Sequence, residues 1–407
     1  MGHNGFTLLV GTFRAPEIYT IVFKPSGHLN ESPSLTVSKK STAAAGHSWL
    51  ALSRDKTRLY TTCWAQPPSV ASYRVLEDGS AELLNQKEIR ALSGYVAVTD
   101  RHLYSAGGPS GEVFLLNDED GSIGDLVQEV SFRRAEELDD GKRDGVAHGS
   151  FGGLRHGSHS ADLSPDGRSL YVADIGHNCI WTYSVDESER GRPPLAPGVK
   201  HISPRPHDGP RHTWPHPDGR VLYCVQEHSS MVDAFRVAED GLALEHVHGY
   251  TILPEGRNVE DFWADEVRLS NKHSFNSNNN NNNDNNKHNT SQAGRRPRYL
   301  YASTRGLQPE TKGYVAAYEL NDDGTIAGPA VDIFETRTSG GLANAIEPAP
   351  AWVSSEQGEE ELIAITDSEQ GYVSILGFDG RRFREVAVTK LEGENGEVVQ
   401  AATAVWL

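Results

Sequence analysis

Cysteine is scarce: the 407 residues contain only Cys63, Cys179 and Cys224. None of them stands at a metal-ligand spacing and each lies in a strand-like run. They read as small buried apolar groups of a reducing compartment, not as a disulfide framework. Long apolar runs are missing as well. The opening MGHNGFTLLVGTF is too short an apolar stretch for a secretory leader, and no segment reaches membrane-spanning length. A cytoplasmic location is therefore expected. No stretch keeps apolar residues at 3.6 spacing over several turns, which excludes a helical bundle. Basic charge is in short supply too. Lys and Arg number 38 against 56 Asp and Glu, a net charge of −18 with no basic stripe. Such a chain repels nucleic acid and anionic membrane, so neither is expected as a partner. It repels an anionic ligand equally, unless arginines gather locally to reverse the field. Phosphate-cradling and dinucleotide-binding fingerprints are absent.

What the chain has in quantity is turns. Forty glycines and 21 prolines punctuate short alternating runs, a composition that folds into sandwiches, barrels or propellers. Internal repetition separates these. Residues 159–185, HSADLSPDGRSLYVADIGHNCIWTYSV, and 211–237, RHTWPHPDGRVLYCVQEHSSMVDAFRV, align without a gap. Each has an alternating strand, a Pro-Asp-Gly turn, a second strand opening on Leu-Tyr, a short loop and a third aromatic-rich strand. Weaker copies occupy 48–75, 95–116 and 342–378, and a sixth joins ADEVRLS at 264–270 to 299–320. The seventh is split: FTLLVGTF and Tyr19–Phe23 supply second and third strands, and the closing AATAVWL supplies the first. A ring closed by both chain ends leaves no open sheet edge. The expected fold is all-β: a seven-bladed β-propeller of four-stranded blades over 1–407, its terminal strands sharing one blade. Two insertions interrupt it, an Asn-rich tract over 271–297, expected to be disordered, and a charged loop over 133–157 that could cover a channel mouth.

In a propeller the start of each innermost strand and the end of the second strand lie at one face. The repeat register therefore names mouth residues. First-strand starts are Ser48, His159, Arg211 and Leu342, with Asn344 two residues on. Second-strand ends are Trp64, Gly108, Ile175, Glu227, Arg305 and Asp367. Structural positions in a repeat should carry similar bland residues. Blades four to six carry His159, Arg211, Glu227 and Arg305 instead, an anion-binding acid–base set. Taken singly, each has a structural role open to it: His159 bonding a neighbouring backbone, the arginines pairing with Glu227 or Asp367. Asp174 and Asp367 are expected to tie blades through backbone amides. The groups His148, His156, His159 and His201, His207, His212, His216 lack zinc spacing, so no metal is expected.

The stretches HSADLSPDGRSLYVAD and GPRHTWPHPDGRVLYCVQE resemble the seven-bladed lactonase superfamily that includes bacterial 6-phosphogluconolactonase. TSGGLANAIEPAP (338–350) and AITDSEQGYVSIL (364–376) are similar to the fungal carboxy-cis,cis-muconate cyclases. That resemblance spans nearly the whole chain and implies a cofactor-independent, metal-free lactonisation in aromatic catabolism. It implies catalytic roles for His159, Arg211, Glu227 and Arg305, with Arg211, Arg305 and Asn344 binding substrate. The chain departs from the cyclases at Leu342, where they carry histidine. The implied partner is a small anionic carboxylate, compatible with a homo-oligomer. A 6-phosphogluconolactonase-like hydrolase would use the same arginines, and a non-catalytic propeller scaffold would need no convergent Arg, Glu and His.

Overall fold

The computed structural model describes residues 5–25, 32–132, 157–271, 296–356 and 360–407. It contains seven four-stranded antiparallel sheets set in a ring, the propeller the repeats imply. Blade 1 joins 401–406 to 6–42. Blades 2 to 7 follow as 50–88, 95–131, 158–202, 210–251, 262–335 and 346–390. The 133–157 and 271–297 insertions fall, apart from their end residues, outside the described residues. No described helix is long and apolar enough to cross a membrane.

Burial follows position in the blade. Second strands such as Ser169–Asp174 and Val221–Gln226 are buried at every residue, because neighbouring blades cover both of their faces. Outermost strands such as Val199–Ile202 are largely exposed. The repeated Pro-Asp-Gly turns work locally. Gly167 and Gly219 have φ of 70° and 74°, and an added Cβ would meet nothing within 4 Å at either, so the turn needs glycine for conformation, not for space. Asp166 and Asp218 each accept the amide two residues on, from Arg168 at 3.1 Å and Arg220 at 2.9 Å.

Closure of the ring rests on Ala401–Trp406, which pairs antiparallel with Phe6–Thr12 in the register Leu8 to Trp406 and Val10 to Ala404. Trp406 is 4% exposed, packs edge-on against Phe23 and donates its indole N–H to the Glu347 carbonyl of blade 7 at 3.1 Å. Truncating a buried tryptophan removes transfer energy and leaves a cavity, about 3–5 kcal/mol together. Trp406→Ala is therefore expected to lose about that much stability in a denaturant titration. A loss below about 1 kcal/mol would show that the closing strand is not a support of the ring.

The three cysteines are buried free thiols. Burial pushes the Cys63 thiol up to about 11 and raises Cys179 and Cys224 as well, so all three are inert packing groups.

A charged cavity at the channel mouth

The innermost strands of blades 4, 5 and 6 carry the same irregularity, a register jump that blade 1 also shows between Ala401 and Ala404. In blade 4, Ser158 pairs with Asp174 and Ser160 with Ala173, leaving His159 as an extra residue. In blade 5, Pro210 pairs with Gln226 and His212 with Val225, leaving Arg211 extra. In blade 6 the register jumps from Ala264 opposite Thr304 to Val267 opposite Ala302, so Asp265 and Glu266 bulge together. A bulge breaks strict alternation and re-aims side chains. Here it turns five groups from consecutive blades toward one cavity: His159, Arg211, His212, Asp265 and Glu266. Glu227 follows the second strand Val221–Gln226, and Arg305 lies near the end of Tyr299–Gly306. Both line the same cavity.

The expected mouth residues divide accordingly. Ser48, Trp64, His159, Arg211, Glu227, Arg305 and Leu342 share the cavity, whereas Gly108, Ile175 and Asp367 do not line it. Asn344, expected to bind substrate, does not line it either. Its side-chain amide donates to the Thr304 carbonyl at 2.9 Å, and its backbone N–H donates to Asp265 Oδ2 at 2.9 Å. It braces Asp265 from behind. The reason is local: Gly340 and Gly341 have φ of 89° and 65°, and the strand of blade 7 begins only at Ile346. No alternation therefore runs from Leu342 through Asn344. Asp174 accepts from the backbone amide and ring of His177 at 2.9 and 2.7 Å and from the Trp181 indole at 3.0 Å, all within its own blade. It caps a turn and does not tie blades.

The charged wall is a compact lattice. Arg211 Nε lies 3.0 Å from Glu227 Oε2 and its Nη2 3.7 Å from Asp265 Oδ1, while Nη1 donates to the Asp265 carbonyl. Arg305 stands 3.7 Å from Glu227 Oε1 and 3.6 Å from Asp265 Oδ1, with its guanidinium over the Trp263 ring. Arg211 Nε, Glu227 Oε1 and Asp265 Oδ1 have no aligned hydrogen bond. Deeper in the channel, His159 Nδ1 meets His212 Nε2 at 3.1 Å and His212 Nδ1 meets Glu266 Oε2 at 3.0 Å. Glu266 Oε1 accepts from Arg268 Nη1 at 2.5 Å, and Arg268 Nε reaches Glu347 Oε2 at 3.1 Å. The Arg268 guanidinium also stacks over Trp214 and Trp49.

Protonation follows from this crowding. Burial holds His159 well below the ordinary imidazole range, and Arg211, His212 and Arg305 push the same way. His212 is lowered by burial and then by Arg211 and Arg268. Burial raises Asp265 against the pull of Arg305 and Arg211, and raises Glu266 to about 7 against Arg268. The two guanidiniums gathered on this wall offset the acidic chain's field locally.

The opposite wall is apolar. Phe13, Trp64, Leu92, Leu342 and Ala402 line the cavity from blades 1, 2, 3 and 7, away from the charged blades 4 to 6, while Trp49 packs edge-on against His212. A flat, unsaturated dianion could lay its hydrocarbon frame there and turn its carboxylates to the arginines. Among the described residues, no group of three or more His, Cys, Asp or Glu side chains is arranged to hold a metal ion.

A seven-bladed propeller with a cavity lined by arginines, carboxylates and histidines of three successive blades defines the class. The chain belongs to the family described as lactonase, 7-bladed beta-propeller, which it matches over residues 7–338. It is 40% identical over 409 residues to muconate cycloisomerase 1 of Cutaneotrichosporon cutaneum, covering 99% of both chains. It is 26% identical over 243 residues to the carboxy-cis,cis-muconate cyclase of Neurospora crassa, covering 58% of this chain and 57% of that one. Its fold superposes with a TM-score of 0.73 on a Bacteroides fragilis protein described as a candidate 6-phosphogluconolactonase, at 19% identity over 99% of this chain and 98% of that one.

Proposed function

We propose that the protein lactonises a cis,cis-muconate, a carboxylated one included, by cofactor-independent cycloisomerisation in aromatic catabolism. The observation that carries this reading is the meeting of Arg211, Arg305 and His159 on one buried wall opposite an apolar one, in a chain that is 40% identical over its length to a muconate cycloisomerase.

The chemistry needs few parts. One carboxylate oxygen of the substrate adds to the far double bond, forming a C–O bond. The displaced π electrons move to the carbon beside the other carboxylate, giving an enolate. A proton then adds to that carbon, so each turnover consumes one proton. Arg211 and Arg305 grip the carboxylates and hold the enolate charge in a site from which protein has displaced most water. They also hold the attacking oxygen near its target. His159 is the proton donor in this scheme. The arriving carboxylates offset the guanidiniums that depress it, so substrate itself draws a proton onto the imidazole. Glu227 and Asp265 orient the two arginines through the contacts described above.

The purified protein is expected to bleach the ultraviolet absorbance of cis,cis-muconate and of 3-carboxy-cis,cis-muconate, at the same rate with and without chelator. Hydrolysis of 6-phosphogluconolactone with no muconate turnover would replace this reading by a lactonase acting as a hydrolase. Inactivity on all three would leave a binding scaffold.

A further inference from the structure

Arg211 and Glu266, on either side of the His212 ring, together set which ring nitrogens carry protons. A guanidinium N–H can only donate, and Arg211 Nη1 lies 3.3 Å from His212 Nε2. That nitrogen must therefore be the acceptor. The remaining proton of neutral His212 then sits on Nδ1, which lies 3.0 Å from Glu266 Oε2, within charge contact but out of line for a hydrogen bond. His159 Nδ1 approaches the same His212 Nε2 at 3.1 Å, so it too must donate. By elimination the lone pair of His159 is on Nε2, and His159 lines the cavity.

We infer that Glu266 and His212 are positioning residues that lock His159 into its Nδ1–H tautomer, leaving Nε2 as the only nitrogen that takes up and delivers the proton. Both border the cavity that His159 lines, but in this scheme they act through His159, which carries the proton. When His159 becomes an imidazolium, Glu266 two groups away stabilises it through His212 in its ionised form, which burial confines to pH above about 7, the logic of a carboxylate behind a catalytic histidine. The part played in catalysis rests on the lactonisation proposed above; the tautomer assignment does not. The charged and titratable groups facing the pair are Arg211 and His159 on one side and Arg268 and Glu347 beyond Glu266, with Tyr95 against the His212 ring and Asp162 bonded to Tyr95. Both residues are all but inaccessible, His212 at 2% and Glu266 at 1% exposure, so bulk water does not set the tautomer.

The decisive measurement is the nitrogen-15 spectrum of histidine-labelled full-length protein at neutral pH, assigned by difference with H159Q and H212Q. The expected result is protonated Nδ1 and bare Nε2 in both rings. A protonated Nε2 on His159 in the wild type overturns the proposal, whatever the protein catalyses. In E266Q the spectrum should show mixed tautomers at His159. Its kcat should fall tenfold or more, as expected for a weakened general acid, with KM within about threefold and the alkaline limb of kcat displaced to lower pH, because the imidazolium has lost its counter-charge. E266D keeps the charge and should restore the limb; if E266Q does not fold, E266D and the wild-type spectrum still decide. A pH limb unmoved in folded E266Q would equally defeat the idea. Normal tautomers with no muconate turnover would instead count against the proposed function alone.

Discussion

Arg211→Ala is expected to lower kcat/KM for muconate by about 10²–10³-fold, the usual effect of removing one preorganised donor from a developing anion. The same change is expected to cost stability, contrary to what a mouth position alone suggests. From the register, both arginines look replaceable without loss of folding. Arg211, however, is 6% exposed and is the near partner of Glu227, with Asp265 also within ion-pair range. Removing it leaves buried Glu227 and Asp265 with only the longer Arg305 contacts, and breaking a buried pair in this way costs up to about 3–5 kcal/mol. Arg305 makes only the longer contacts of 3.7 and 3.6 Å and rests on Trp263, so Arg305→Ala should lose comparable activity at a smaller cost to folding. Steady-state kinetics beside denaturant titrations of the two variants check this. Equal stability losses would mean that the longer contacts matter as much as the short one.

His159→Gln should lower kcat by about 10²–10⁴-fold, the range for losing a positioned general acid. Its pH signature is specific. In the free enzyme His159 is held well below the ordinary imidazole range by burial and by Arg211, His212 and Arg305, so at neutral pH the empty site is unprotonated there. A step that needs the imidazolium then becomes slower as pH rises, and kcat/KM should fall about tenfold per pH unit through the neutral range. In the complex, substrate carboxylates offset the arginines and raise His159, so the fall in kcat should begin at higher pH than the fall in kcat/KM. The variant should lose this separation. A wild-type kcat/KM that rises through neutrality would mean that His159 acts as a base, not an acid.

The ring and its closure were legible because the Pro-Asp-Gly turn and the Leu-Tyr strand opening recur at constant spacing, which fixes each blade's register and shows AATAVWL completing FTLLVGTF. The same register placed His159, Arg211, Glu227 and Arg305, from three blades, at one mouth. It failed where its assumption of strict alternation failed. At Asn344 the assumed strand is a double-glycine turn. At His212 alternation sends the side chain away from Arg211, whereas the bulge turns both inward. Asp265 and Glu266 were visible as adjacent acids in ADEVRLS, an odd pair for an innermost strand. Without the bulge they would point to opposite faces, so sequence pattern alone gave no ground for joining them to the arginines.

The bulged positions have one more consequence. An unpaired residue makes no ladder hydrogen bond of its own, so a change there acts on the buried charge lattice and not on strand pairing. His159, Arg211 and the Asp265–Glu266 pair occupy such places on three successive blades, while Leu342 and Ala402 present bland groups from the other side. The scaffold thus resembles a keyboard: chemistry is retuned one key at a time while the frame stays strung. A library randomising only these bulge positions, screened for stability as well as activity, would explore new ring-forming or ring-opening reactions with strand pairing kept.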